Sequence, residues 1–169
     1  MKTRTLVLSC VLCTGIVACA PKYSDYGTYL RHFPKSVLVL PPINESLEVQ
    51  APGMFLSTVT TLLAERGYYV MPVAVVDAVL KEQGVPLPPE MHQIPIEKLG
   101  EVFGADAVLY VTINRWTTTY LVLNTTTTVD LLYRLVDVDT KATLWEWRQP
   151  YQYSPSSQQN NLTLQRYVS

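Results

Sequence analysis

Between Ser36 and Val73 a continuous apolar run, an amphipathic stripe and a second apolar run follow one another, and few folds accommodate that order. Ser36-Val37-Leu38-Val39-Leu40, closed by Pro41-Pro42, shows no polar alternation, which is the pattern of a strand covered on both faces. Phe55, Val59, Leu62 and Leu63 then fall at i, i+4, i+7 and i+8 and form one helical stripe. Ser57, Thr60 and Glu65 lie on the other side of that helix, and Gly67 stands where a left-handed C-terminal cap is wanted. Tyr68 to Val73 supplies the second strand. Strand, helix and strand in so short a span make a βαβ unit, whose strands run parallel through a right-handed crossover.

A second helical stripe, Val75, Val76, Val79 and Leu80, ends at Gly84, and Pro86, Pro88 and Pro89 predict an extended loop through His92. Pro95 opens a third helix lined by Ile96, Leu99 and Phe103 and ended by Gly104. Gly100 costs that helix roughly 1 kcal/mol relative to alanine unless it permits a close approach. Ala107 to Val111 begins a long strand apolar on both faces and hence central. From Trp116 the chain becomes Thr-rich and β-branched, with Thr117 to Thr119 and Thr125 to Thr128 flanking Tyr120 to Leu123. Val129, Leu131, Tyr133 and Leu135 alternate with Asp130 and Arg134. Asp137 to Lys141 turns the chain, and Leu144 to Arg148 returns it antiparallel. The predicted class is α/β of the mixed α+β kind: one mixed sheet from a βαβ unit, a further helix–strand step and a C-terminal antiparallel meander. With 169 residues, 48% hydrophobic and 16% charged, the chain has material for one packed domain.

The first residues read as a secretory signal: Lys2 and Arg4 precede the apolar stretch Leu6 to Leu12 and a run of small residues. That stretch is well short of the roughly 20 residues of a membrane-spanning helix. Ile16-Val17-Ala18-Cys19 resembles the bacterial lipobox, which implies that Cys19 becomes the first mature residue and carries diacylglycerol and a further acyl chain such as palmitate. The plainer reading is a signal peptide cleaved after Ala18 or Ala20, with Cys19 incidental. Several acyl chains, at about 0.8 kcal/mol per buried methylene, make a near-permanent anchor. Ala20 is not the Asp that retains lipoproteins in the inner membrane, so the resemblance implies the outer membrane, facing the periplasm. The organisation expected is signal 1–18, lipidated cysteine and tether 19–35, globular domain 36–153 and flexible polar tail 154–169.

Excision of the signal removes Cys10 and Cys13, whose C-x-x-C spacing otherwise suggests redox or metal chemistry, and leaves Cys19 without an intramolecular disulfide partner. The whole chain carries a formal charge of −1; without Lys2 and Arg4 the mature part has 11 basic against 14 acidic side chains, a balance of −3. That argues against nucleic acid as a partner. No cofactor is expected, since no glycine-rich nucleotide loop occurs. His32 and His92 lack a nucleophile-elbow pattern around them. Asp137, Asp139 and Asp106 lack the glycine and terminal glutamate of a calcium loop, so a hairpin turn is the better reading of 137–141. Glu45, Glu48, Glu90 and Glu101 offer carboxylates but no spacing that selects an acid/base pair. The chain is therefore not expected to be an enzyme.

Trp145, Trp147, Tyr151 and Tyr153 share parity on the last strand, with Glu146 and Arg148 on its opposite face. They are the candidate interaction surface if that strand is an edge, and a cover for the core if a helix lies over them.

Ile16-Val17-Ala18-Cys19, Val37-Leu38-Val39-Leu40-Pro41-Pro42-Ile43-Asn44, Glu65-Arg66-Gly67-Tyr68-Tyr69-Val70-Met71-Pro72-Val73 and Leu99-Gly100-Glu101-Val102-Phe103-Gly104-Ala105-Asp106-Ala107-Val108-Leu109-Tyr110, in that order, resemble a family of Gram-negative lipoproteins of unknown function. Its domain is similar to the TolB N-terminal domain. The resemblance implies a mixed sheet with helices, an outer-membrane periplasmic address and relatives encoded beside CsgG-like pore lipoproteins in envelope assembly or transport systems. It brings no catalytic residues. The expected function is a lipid-anchored scaffold or accessory subunit of an outer-membrane assembly, secretion or transport complex, able to form a homo-oligomer. The alternative is a regulator of peptidoglycan synthesis of the LpoB type, against which the short segment before Ser36 counts; a cell-wall hydrolase comes third.

Overall fold

The computed structural model describes residues 27–121, 124–148 and 150–154; the signal, the lipobox Ile16 to Cys19 and the tail beyond Ser154 lie outside the described residues. The elements are α1 (Gly27–His32), β1 (Ser36–Val39), β2 (Ile43–Asn44), α2 (Ala51–Glu65), β3 (Tyr69–Val70), α3 (Val73–Glu82), α4 (Pro88–Met91), α5 (Ile96–Phe103), β4 (Ala107–Leu121), β5 (Asn124–Asp137), β6 (Thr143–Arg148) and β7 (Tyr151–Tyr153). They build the mixed sheet the sequence predicts, in the order β3-β1-β4-β5-β6, with β2 beside β4 and β7 beside β5. β1 is parallel to β3 and to β4, and β5 pairs antiparallel with β4, β6 and β7.

The chain leaves β1 in one direction to reach β3 and returns past β1 to reach β4. Right-handed crossovers in opposite directions put their helices on opposite faces. The core divides accordingly. Val37 and Val39 pack with Phe55 of α2, while Leu38 and Leu40 pack with Val76 and Leu80 of α3, Met91 of α4 and Leu99 of α5. β1 is thus sealed on both sides, which is why its sequence does not alternate.

Four details differ from the sequence expectation. β3 holds two residues instead of the span 68–73, because Pro72 caps the start of α3 and turns the chain out of the sheet. The Pro-rich stretch is not an extended loop to His92: Pro88 and Pro89 occupy the first turn of α4, where a fixed φ is an advantage, and Met91 behind them is fully buried. Residues 27–32, within the span read as tether, form α1, whose Tyr29 packs on the α2-side core. Its hydroxyl is hydrogen-bonded to that of Tyr68; burial, and then this bond, push the Tyr68 pKa up to about 12. Leu62 is 54% exposed, and Leu56 takes its place among the residues packed on the core.

Gly100 does permit a close approach. A Cβ there would sit 2.4 Å from Cγ1 of Val138, in the turn after β5. Gly100→Ala should therefore cost up to about 2 kcal/mol, because overpacking of about 1–3 kcal/mol outweighs the helix-propensity gain of about 1 kcal/mol. Urea denaturation should show a smaller loss when the same change is made in a Val138→Ala background. Gly104, at φ 64°, ends α5 in the left-handed conformation as predicted.

Candidate interaction surface

β4 and β5 form a hairpin of 15 and 14 residues that runs beyond the helical layers. Its pairing register fixes which side chains share a face. On β5, Tyr133 and Leu135 lie on the α2 side, within or against the core. Trp145 stands opposite Leu135 and Trp147 opposite Tyr133, while Tyr151 stands opposite Val129 and Tyr153 opposite Thr127. All four predicted surface residues therefore point to the α2 side, and both β6 and β7 lie at the sheet edge among the described strands.

They do not share one role. Trp145 is half-buried against the core, its ring 5.9 Å from that of Tyr133, which is in turn 5.8 Å from Phe55. It covers the core, as the plainer of the two sequence readings has it. Trp147, Tyr151 and Tyr153 are 43%, 63% and 42% exposed. The opposite face is wet: Arg148 bonds Asp130 through Nη2 at 3.1 Å, and this partner holds the Asp130 carboxyl below the usual carboxylate range.

Two further aromatic residues that the strand parity of 145–153 does not reveal join this face. A bulge between Ile113 and Arg115 shifts the alternation of β4, so that Trp116 stands opposite Val129 and packs on the α2 side. Thr118 and Tyr120 follow at the same parity, opposite Thr127 and Thr125. The Thr118 and Thr127 hydroxyls are 3.2 Å apart, and Tyr120 is 79% exposed. At the base of this platform a cavity of about 170 Å³ lies between α2 and the hairpin, lined by Met54, Leu62, Trp116 and Val129 among others. The exposure of Leu62 is explained by its place there. Alternation across the whole hairpin carries the signal for Trp116 and Tyr120, but the bulge hides it.

A larger groove, about 980 Å³, opens beyond the carboxyl ends of β1 and β3, the place where open α/β sheets take ligands. Prolines 41, 42, 72, 88 and 89 help to line it. Its polar side chains are occupied locally: Asn44 Oδ1 accepts from Ser46, Asn44 Nδ2 donates to the Glu48 carbonyl, and Asp77 pairs with Lys81 at 2.6 Å.

The remaining candidates are distributed over other elements. Asp106 Oδ2 accepts from the backbone N–H groups of Lys35 and Ser36 at 2.8 and 2.9 Å; burial opposes its charge, but these bonds hold the carboxyl below its ordinary range. Asp137 Oδ1 accepts from the N–H and hydroxyl of Thr140, which makes 137–141 the hairpin turn expected. Among the described residues no three metal-ligating side chains gather. Glu45 follows β2, Glu48 precedes α2, and Glu90 and Glu101 belong to α4 and α5. His32 Nδ1 is bonded to the Thr28 carbonyl. His92 Nε2 lies 2.9 Å from the Pro41 carbonyl, and since that oxygen only accepts, Nε2 carries the proton.

Burial, and after it the charge of Arg134, lower the His92 pKa against the opposing pull of the Pro41 bond. The unfolded chain then binds the proton more readily than the folded one. Stability should be full above the unfolded value of about 6.5 and decline as the pH falls from there towards the lowered folded value. Thermal melts between pH 8 and 5 should show this decline, and His92→Gln should flatten it.

The matches to known proteins agree with this architecture. The family model for GNA1162-like lipoproteins matches residues 24–168. A lipoprotein of Neisseria meningitidis serogroup B is 40% identical over 149 residues, covering 86% of this chain and 68% of the relative. The crystal structure of lipoprotein GNA1162 from Neisseria meningitidis superposes with a TM-score of 0.67 at 36% identity, covering 80% of this chain and 96% of that one. The LpoB C-terminal domain from Salmonella enterica shares the fold, with a TM-score of 0.51 at 18% identity over 76% of this chain and 93% of that one. Among the described residues no helix is long and apolar enough to cross a membrane. The family model spans the described domain from α1 to β7, and with the neisserial relatives it shows that the chain belongs to the family of GNA1162-like lipoproteins.

Proposed function

We propose that the mature chain is a lipid-anchored, periplasmic accessory subunit of an outer-membrane assembly, secretion or transport complex, acting by binding and not by turnover. Acylated Cys19 holds it to the outer membrane, and the platform of Trp116, Tyr120, Trp147, Tyr151 and Tyr153 meets the partner. The observation that carries this reading is the exposure of Tyr120, Trp147 and Tyr151, on β4, β6 and β7, on one face of the sheet. Large, stiff aromatic side chains supply most of the energy in protein interfaces. Confinement to a membrane surface raises the effective concentration, so that modest contacts suffice. A CsgG-like pore lipoprotein is the partner that the sequence resemblance favours.

The test is covalent capture. The full chain is crosslinked in intact cells and enriched from detergent-solubilised envelope, with Cys19→Ser as the unanchored control. Capture of an outer-membrane pore or lipoprotein is expected, lost in the control and reduced about tenfold by joint Trp147→Ala and Tyr151→Ala, which corresponds to about 1.4 kcal/mol. Capture of a peptidoglycan synthase instead would move the assignment to a regulator of peptidoglycan synthesis, a reading that the LpoB-like fold supports. Hydrolysis of purified peptidoglycan, abolished by one carboxylate substitution, would overturn both.

A further inference from the structure

The outer side of β4 changes partner along its length. Its first residues pair with β1, from Val37 opposite Ala107 to Val39 opposite Leu109, and the next with β2, where Ile43 stands opposite Thr112 and Asn44 opposite Ile113. The Glu45 N–H, bonded to the Ile113 carbonyl at 2.9 Å, closes that ladder. From Arg115 to Leu121 the strand stays paired with β5 on its inner side, and no described strand lies on its outer side. Seven residues at about 3.4 Å each make an edge about 24 Å long, along which every second residue turns its N–H and C=O outward.

Folded proteins guard such edges with lysine, proline, charge or a bulge. Here the bulge and Arg115 stand only at the base. Trp116-Thr117-Thr118-Thr119-Tyr120 carries neither charge nor proline, and all five residues are strong strand formers. An edge of this kind accepts an added strand.

The edge is complementary to itself. In an antiparallel pairing centred on Thr118, Trp116 falls opposite Tyr120 of the partner subunit, and Thr117 falls opposite Thr119 of the partner subunit. Both aromatic pairs then lie on the α2 side, since Trp116 and Tyr120 share that parity. Each Arg115 lands at an end of the ladder, about 20 Å from its copy, so the like charges never meet. A parallel, in-register pairing would set Arg115 against Arg115. We propose that two copies of the chain pair in this way, β4 against β4 across a two-fold axis at Thr118, which makes one continuous sheet and joins two aromatic platforms on one face. The inference deepens the binding reading above, whose active unit becomes a dimer, but it stands on the β4 edge by itself.

The test uses the full-length lipoprotein in native envelopes. Directly opposed residues in a hydrogen-bonded antiparallel pair have Cα atoms about 5.5 Å apart, within disulfide range. Thr118→Cys should therefore oxidise to a dimer-sized species at least tenfold more than Thr61→Cys, a control on the exposed side of α2. Equal yields, or a Thr118→Cys product of another mass, would overturn the pairing. In detergent solution Thr118→Lys should raise the dimer dissociation constant at least tenfold by sedimentation equilibrium, with an unchanged far-ultraviolet circular dichroism spectrum. Thr119→Lys, on the other face of the same edge, takes its place if that chain misfolds, and an unweakened dimer in the folded variant would refute the proposal. Monomeric Thr118→Lys chain that still captures an outer-membrane partner supports the pairing and leaves the accessory-subunit reading standing. A Thr118→Cys dimer that captures only itself supports the pairing and overturns that reading.

Discussion

Leu38→Ala is expected to lower the free energy of unfolding by about 2–5 kcal/mol, the range for removing a fully enclosed leucine side chain. Leu38 has no exposed surface and packs among Val76, Leu80, Leu99 and Val108, on the face of β1 turned towards α3 and α5. β1 is held between two parallel neighbours and covered from both sides, so the surroundings have little room to collapse into the vacated volume. Leu47 offers the contrast: it is 100% exposed in the loop before α2, and Leu47→Ala should stay within about 0.5 kcal/mol of the parent. Urea midpoints at constant m-value measure both. A loss under 1 kcal/mol at Leu38 would mean that the α3 layer does not close over the sheet.

The same enclosure explains what was legible in the sequence. Val37 to Leu40 could be read as a buried strand because burial on both faces leaves no position for a polar residue. Phe55, Val59 and Leu63 could be read as a helix because only one face of α2 meets the sheet. Gly100 could be flagged because a glycine inside a helix needs a reason, though only the fold supplies Val138 as that reason. Other features were ambiguous in principle. Pro88 and Pro89 suit an extended loop and a first helical turn equally well, and it is the burial of Met91 that selects the turn. α1 has six residues and no periodicity to detect; Tyr29 reaches the core through a contact with Tyr68, 39 positions away.

The aromatic face proposed as the interaction surface was half legible for a similar reason. Parity along one strand groups Trp145 with Trp147, Tyr151 and Tyr153, and that grouping is correct. Parity says nothing of where a helix on the same face ends. Trp145 falls under the cover of the core and the others fall beyond it. Trp116 and Tyr120 escape notice because one bulge residue shifts the alternation of β4, so the hairpin partner must be known before they can be placed.

Phe55→Ala should produce a loss of about 3–5 kcal/mol, and its coupling to other sites should map how the core is joined to the platform. Phe55 is 5% exposed and begins an aromatic series that passes through Tyr133 to Trp145 at centroid distances of 5.8 and 5.9 Å. The double change Phe55→Ala with Tyr133→Leu should cost less than the sum of its parts by about 0.5–1.5 kcal/mol, since one aromatic contact is lost in either single change. Phe55→Ala with Leu80→Ala should be additive within about 0.5 kcal/mol, because the sheet separates the two clusters and they share no partner. Removing Phe55 also withdraws the support beneath Tyr133, the cross-strand neighbour of Trp147. Phe55→Ala should thus weaken partner capture in cells even where the folded protein persists, whereas Leu80→Ala, matched in stability loss, should leave capture by the folded fraction unchanged. Equal weakening by both would mean that capture follows the amount of folded protein and not the aromatic face.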